Sequence, residues 1–383
     1  MSRDRMKSQL ANLSGGMLCL LAIFFVSCSR QSPRVETVTI DNVEPRRDVT
    51  GQIIDAHGGC VQFFNGRFYL YGTAFGTNKE YSGINSLAVY SSADLKDWKL
   101  EGGLLKNPPT GVYYRPYVVF NPKTKKYVLW YNWYPKLWAG QDGVAISDTP
   151  IGPFTIVTGK ANLQGTCPGD GSLFVDNNGT AYYIYTDITN DYSVRIERLT
   201  PDFLDSCHEM SKVMSTGAEA PVMFRRNNIF YVLCGPLCAT CPRGSEVQVF
   251  TSLSPLGPFS TKPAFNINRF FPGASSSSPA TGVTPTNETG SDASTQAPPK
   301  GWFAFGRESS APIIPAQETW IAQIPLGGDV AYIWMGDRWG SAPDGLIAHD
   351  FQFWSPPLEF TSDGQILPIK NVSQWYISWA LNN

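Results

Sequence analysis

One pattern recurs along this chain: a run of β-branched and aromatic residues, a short polar turn, and a second such run. It reads Gly59-Cys-Val-Gln-Phe-Phe-Asn-Gly-Arg-Phe-Tyr-Leu-Tyr-Gly in its first copy. The second is Pro116-Tyr-Val-Val-Phe-Asn-Pro-Lys-Thr-Lys-Lys-Tyr-Val-Leu-Trp-Tyr, and the third runs from Gly171 to Tyr185. The fourth, within Thr216–Leu233, turns at Asn227-Asn228, and a weaker fifth runs from Trp320 to Met335. Each copy reads as a β-hairpin. The starts at Gly59, Pro116, Gly171 and Ala220 lie 57, 55 and 49 residues apart, and Trp320 follows 100 later.

A more polar strand pair follows each hairpin: Ser86–Trp98; Asp142–Asp148 with Gly152-Pro-Phe; Glu246–Ser252 with Gly257-Pro-Phe; Gly345–Asp350 with Leu358-Glu-Phe. Four strands in each repeat of about 50 residues are the signature of a propeller blade. Five copies predict an all-β, five-bladed β-propeller over residues 46–383. A β-sandwich explains the alternation but not the period.

The long fourth interval has a cause. Phe271 to Lys300 is Ser, Thr, Pro and Gly with almost no large apolar residue, so it reads as a disordered surface insertion. Charged residues make up 16% of the chain and aromatics 13%, with 35 Gly and 29 Pro, which suits a turn-dense β protein. A net charge of −2 gives no sign of nucleic-acid binding.

Arg3, Arg5 and Lys7 precede the apolar run Met17–Cys28, which is short for a bilayer span. Residues 1–28 therefore read as a signal peptide, or alternatively an uncleaved anchor, with 29–45 as lead-in. Secretion is the expectation. Six cysteines follow (Cys60, Cys167, Cys207, Cys234, Cys238, Cys241), an even number open to as many as three disulfides. Cys234-x3-Cys238-x2-Cys241 resembles a metal spacing, but no His stands near it; no metal or cofactor is expected, and the sequence gives no indication of a structural calcium. Asn178, Asn287 and Asn371 begin Asn-x-Ser/Thr sequons that fit a glycosylated, secreted monomer.

In a propeller, side chains at the entry of the innermost strands ring one mouth of the central channel. Counting back from each hairpin turn places Asp55, Tyr114, Asp170, Glu219 and Gln317 there. A polar residue that merely begins a strand explains any one of them. It explains Asp170 and Glu219 together less well. Two carboxylates at one mouth among aromatics suit glycosidic-bond cleavage, one donating a proton and the other ionised beside it. Glu219, against an apolar strand, is the proton donor in this reading. Nothing resembles a Ser-His-Asp set or a phosphate-cradling loop.

Asp55-Ala-His-Gly-Gly, Arg115-Pro, Gly169-Asp-Gly-Ser-Leu-Phe-Val-Asp, Glu219-Ala-Pro, Gln317-Glu-Thr and Gly336-Asp-Arg-Trp stand in this order. Together they resemble glycoside hydrolase family 43, and within it the exo-β-1,3-galactanase branch. The resemblance implies an inverting glycosidase acting on terminal galactose- or arabinose-like residues, with Glu219 as general acid and Asp170 tuning and orienting it. It implies that Gln317, as its imidic acid tautomer, stands where a base carboxylate is missing; Asp55 falls where the wider family carries a base. His57, Tyr114, Arg115, Asp337, Arg338 and Trp339 fall at candidate sugar contacts, although Asp337-Arg338 also suits a structural ion pair. Trp133 and Trp138 are further platform candidates. The chain departs from the branch at Tyr114 and Thr73, where the relatives carry Glu. That leaves a different sugar, or a non-catalytic carbohydrate-binding propeller, as the alternative; a propeller serving only as a protein-interaction platform is a third reading.

Overall fold

The structure is a computed structural model that describes residues 34–136, 139–237, 247–260, 302–308, 314, 316–326 and 328–381. The described residues form five blades. Blade 1 is His57–Phe64, Arg67–Ala74, Ser86–Ser92 and Lys99–Gly103; blade 2 is Val112–Asn121, Lys126–Tyr134, Gln141–Ser147 and Thr155–Thr158. Blade 3 is Pro168–Val175, Ala181–Asp187, Ser193–Leu199 and Ser206–Met210. Blade 4 (Ala218–Arg226, Ile229–Pro236, Gln248–Ser252) and blade 5 (Gln317–Pro325, Val330–Arg338, Phe351–Pro357) have three described strands each.

The five innermost strands touch in a closed cycle, the last lying against the first. Direct bonds reinforce the cycle. Ser172 donates to the Pro221 carbonyl at 2.7 Å, and the Trp320 indole to the Val61 carbonyl at 3.1 Å. Closure leaves no inner edge open to another chain. Between blades the core is aromatic: Trp98 and Trp130 are essentially fully buried, and Trp130 of blade 2 meets Tyr183 of blade 3 with centroids 4.7 Å apart.

The blade-5 expectation needs correction. Ile347–His349 is a turn of 3-10 helix, and the outer strand is Phe351–Pro357. A sixth sheet was not foreseen. Arg34–Asp41, read as lead-in, pairs along its length with Val372–Leu381, and Trp302–Glu308 pairs on the other side of that strand. The insertion 271–300, the leader 1–28 and the Asn287 sequon lie outside the described residues. Asn178 is exposed in the blade-3 turn.

The disulfide expectation fails for every described cysteine: Cys60, Cys167, Cys207 and Cys234 form no disulfide. Cys60 and Cys234 sit on strands of different blades and are packed as small apolar groups. Burial pushes the Cys60 thiol up to about 12, and that of Cys234 higher still. Cys238 and Cys241 lie outside the described residues. No group of three or more potential metal ligands occurs among the described residues.

Candidate active site

An antiparallel hairpin brings the start of its inner strand and the end of its second strand to the same mouth. There the inner strands of blades 1 to 4 share a device. Two residues on the inner strand face one on its partner: 58–59, 115–116, 169–170 and 220–221 are the extra pairs. Such bulges re-aim side chains. The first bulge residue is left-handed at Gly58, Arg115 and Ala220 (φ +65°, +49° and +55°), a conformation unfavourable for the latter two.

The bulges also correct the expected register. Glu219 immediately precedes its bulge, whereas Asp170 lies within the blade-3 bulge, two residues further along its strand. Counting back from the turns hid this because blade 4 turns in two residues, 227–228, and blade 3 in five, 176–180. Both carboxylates nonetheless line one cavity of about 500 Å³, together with Arg115, Gln317, Tyr114 and Trp339.

Two hydrogen-bonded chains cross this cavity. Arg115, 4% exposed, reaches from blade 2 to the Glu318 carbonyl in blade 5 at 2.9 Å and to Asp170 Oδ2 in blade 3 at 2.8 Å. It is thereby fixed as a cation: burial opposes its charge, but Asp170, Tyr117 and Asp337 together outweigh burial and raise its pKa. In the second chain the Trp339 indole donates to Gln317 Oε1 at 2.9 Å, and Gln317 Nε2 donates to Glu219 Oε1 at 2.8 Å.

The other sequence candidates stand in or behind the wall. Asp55 accepts the Phe75 and Gly76 amides, at 2.9 and 2.7 Å, one on each oxygen. It anchors the loop after the first hairpin. His57 is in the cavity wall but 0% exposed, with Nδ1 3.2 Å from Asp337 and its ring 5.5 Å from that of Trp339. Burial lowers its pKa, yet Asp337 and Asp55 outweigh burial and the net shift is upward. Asp337 also accepts the Gly58 amide at 2.5 Å, so its partners are in blade 1. Arg338 instead donates to the Asn42 carbonyl at 3.3 Å and lies over Phe351. Trp133 is packed against Tyr113 with its indole on the Gly159 carbonyl, and Trp138 lies outside the described residues.

Several contributors were not read from the sequence. Phe75 and Tyr81 line the cavity from the loop that Asp55 anchors, and Tyr134, Thr186 and Tyr192 line it from the second strands of blades 2 and 3 or beyond. The ends of the second strands were the available signal. Glu318 was also missed: it is buried, with Oε2 bonded to the Trp334 indole at 2.8 Å and Oε1 without a partner. Burial pushes this carboxyl up to about 8.

A closed five-bladed propeller with an acidic, aromatic-walled funnel is the architecture of a carbohydrate-active protein. The family model for glycosyl hydrolases family 43 matches residues 64–273, over half the chain, and the protein belongs to that family. The matched segment includes Arg115, Asp170 and Glu219, whereas His57, Gln317 and Trp339 lie outside it. An arabinoxylan arabinofuranohydrolase of Bacillus subtilis (strain 168) is 27% identical over 282 residues, 58% of this chain and 52% of the relative. The chain thus spans about half the length of that relative. Among solved structures, an exo-β-1,3-galactanase from Clostridium thermocellum superposes with a TM-score of 0.65 at 23% identity, covering 88% of this chain and 66% of that one. The exo-β-1,3-galactanase of Phanerochaete chrysosporium, solved with galactose, gives 0.66 at 22%, covering 90% and 71%. These likenesses concern the fold.

Proposed function

We propose that the protein is an inverting glycosidase that removes terminal galactose- or arabinose-like residues from a glycan. The observation that carries this reading is the convergence of Glu219, Asp170 and Gln317 on one cavity. Glu219 is half-buried and stands against the apolar inner strand of blade 4. It donates its proton to the leaving oxygen as the C1–O bond breaks. Asp170, held by Arg115, places negative charge beside the developing oxocarbenium ion. A water positioned by Gln317 forms the new bond on the opposite face of the sugar; the imidic nitrogen of Gln317 accepts that water's proton as its imidic hydroxyl releases one to solvent, and Glu219 is reprotonated from solvent after the product leaves.

Gln317 is preferred to Asp55 for that water because both Asp55 oxygens hold backbone amides. The same geometry sets a requirement. An inverting site leaves about 6.5–9.5 Å between its acid and its water-activating group. Gln317 and Glu219 are instead in direct contact, so an entering sugar has to part them.

That contact also favours a second reading, a binding propeller that retains the funnel without turnover. Purified protein and Glu219→Gln, incubated with aryl glycosides and β-1,3-galactan, separate the two. Turnover abolished by the substitution supports the enzyme, whereas glycan binding without turnover supports the binding protein. Action outside the cell is part of the proposal, supported by the basic and apolar stretch over residues 1–28 and by the exposed Asn178 sequon.

A further inference from the structure

On the blade-3 side of Glu219 the cavity is lined by Ile188 and Tyr192, from the loop between the second and third strands of that blade. Ile188 packs on Gly169, where a Cβ in place of hydrogen would approach its side chain to 3.0 Å. The loop ends in a tight turn closed by the Ser193 amide, which donates to the Asn190 carbonyl at 3.1 Å. Both central residues of the turn, Asp191 and Tyr192, are left-handed, with φ of +55° and +48°. Such a turn favours Asp-Gly or Asn-Gly. Asp191 fits that preference. Tyr192 stands where glycine is favoured, and a bulky side chain there is strained.

The main-chain bonds of the turn do not account for the tyrosine. The Asp191 carbonyl accepts the Gly217 amide at 2.9 Å and the Tyr192 carbonyl accepts the Ala218 amide at 3.3 Å, which seats the turn beside Glu219. Glycine would make both bonds equally well. What only tyrosine supplies is its side chain, which is half-buried and lines the cavity. Backbone strain retained at a cavity points to a function.

The order of the blades says which part of a substrate this side chain meets. The inner strand of blade 4 lies between those of blades 3 and 5, so Tyr192 and Gln317 flank Glu219 from opposite sides. In an inverting displacement the water attacks from the Gln317 side and the leaving group departs away from it. We propose that Tyr192 receives the leaving group, with its ring against the apolar C–H surface of a sugar, so that the substrate's aglycone is itself a saccharide. This rests on the glycosidase reading and deepens it. The competing account is a residue that only packs the loop.

The test compares β-1,3-galactobiose with β-D-galactosyl fluoride, which present one glycon with and without a sugar as leaving group. For Tyr192→Gly the ratio of kcat/KM on the disaccharide to that on the fluoride is expected to fall about tenfold or more. Its urea midpoint is expected not to fall, because glycine suits the turn. A ratio within about threefold of the wild type overturns the proposal. So does a wild type that hydrolyses the fluoride but not the disaccharide. Tyr192→Phe keeps the ring and is expected to hold the ratio within about threefold; a drop as large as that of Tyr192→Gly overturns the ring as the contact. If the wild type hydrolyses neither, the glycosidase reading falls, and tryptophan fluorescence titration decides the platform. Galactobiose bound about tenfold tighter than galactose by the wild type, but not by Tyr192→Gly, keeps it. Equal binding of the two sugars by the wild type, or none, overturns it.

Discussion

Gln317 and Glu219 are hydrogen-bonded to each other at the mouth of the propeller, Nε2 to Oε1 at 2.8 Å. A side chain without a titratable proton thus holds the proposed acid. Trp339 in turn fixes the amide's orientation by donating to its oxygen.

Replacing the acid tests the reaction directly. Glu219→Gln is expected to lower kcat by about 10²- to 10⁴-fold on substrates with poor leaving groups, and by less on 4-nitrophenyl glycosides, which need little protonation. Steady-state kinetics on matched alkyl and aryl glycosides measure the difference. An equal loss on both would argue against proton donation.

Gln317→Glu places a second carboxylate in contact with Glu219. Like charges at that distance favour keeping a proton on the pair. The protonated acid then persists to higher pH, and the alkaline limb of the pH–rate profile is expected to move upward. An unmoved limb would show that Glu219 does not set it.

Two buried groups predict the pH dependence of stability. His57 has a folded pKa above its ordinary 6.5, so its contribution is complete below about pH 6.5 and is lost as pH rises through the folded value. Glu318 is raised from 4.5 to about 8, so the folded state binds more protons than the unfolded one between those values. Its contribution also declines as pH rises across that window. Thermal melts from pH 4.5 to 9 are expected to show a falling Tm for the wild type and a shallower slope for Glu318→Gln and His57→Gln.

Arg115 ties blades 2, 3 and 5 together. Arg115→Ala leaves the Glu318 carbonyl without this donor and Asp170 without this cation, an expected loss of about 3 kcal/mol, with Asp170's partial exposure holding it at the low end of the range for broken buried pairs. Arg115→Lys keeps the charge but not the two-pronged reach, and is expected to fall between. Urea unfolding midpoints check the order.

Free, buried thiols predict a labelling pattern. Cys60 and Cys234 are expected to resist iodoacetamide in the native protein and to react on unfolding without any reductant. Peptide mass spectrometry reads this directly, and a requirement for reductant would contradict the free thiols.

Much of the fold was legible because a blade is a local object. The hairpins around Asn65-Gly66 and Asn227-Asn228 declare themselves by strand-forming runs and by residues that tolerate positive φ, here +50° and +79° in the first and +55° at Asn227. The pairing of Arg34–Asp41 with Val372–Leu381 was not legible. It joins segments more than 300 residues apart, and nothing local in either marks the partner. Ile347–His349 failed for a different reason: a short apolar run between turns fits strand and helix equally.

By itself the sequence determined the number of blades, the presence of Asp170, Glu219 and Gln317 at one mouth, and the family those residues belong to. Hydrophobic period and motif order suffice for that. Only the tertiary structure decided which groups face the cavity and which hold those that do. Bulges and unequal turns shift side chains by two residues along a strand, while closure of the ring brings blade 5 against blade 1. Asp55, His57 and Asp337 support the wall for that reason, whereas Phe75 and Tyr81, in a loop with no motif, form part of it.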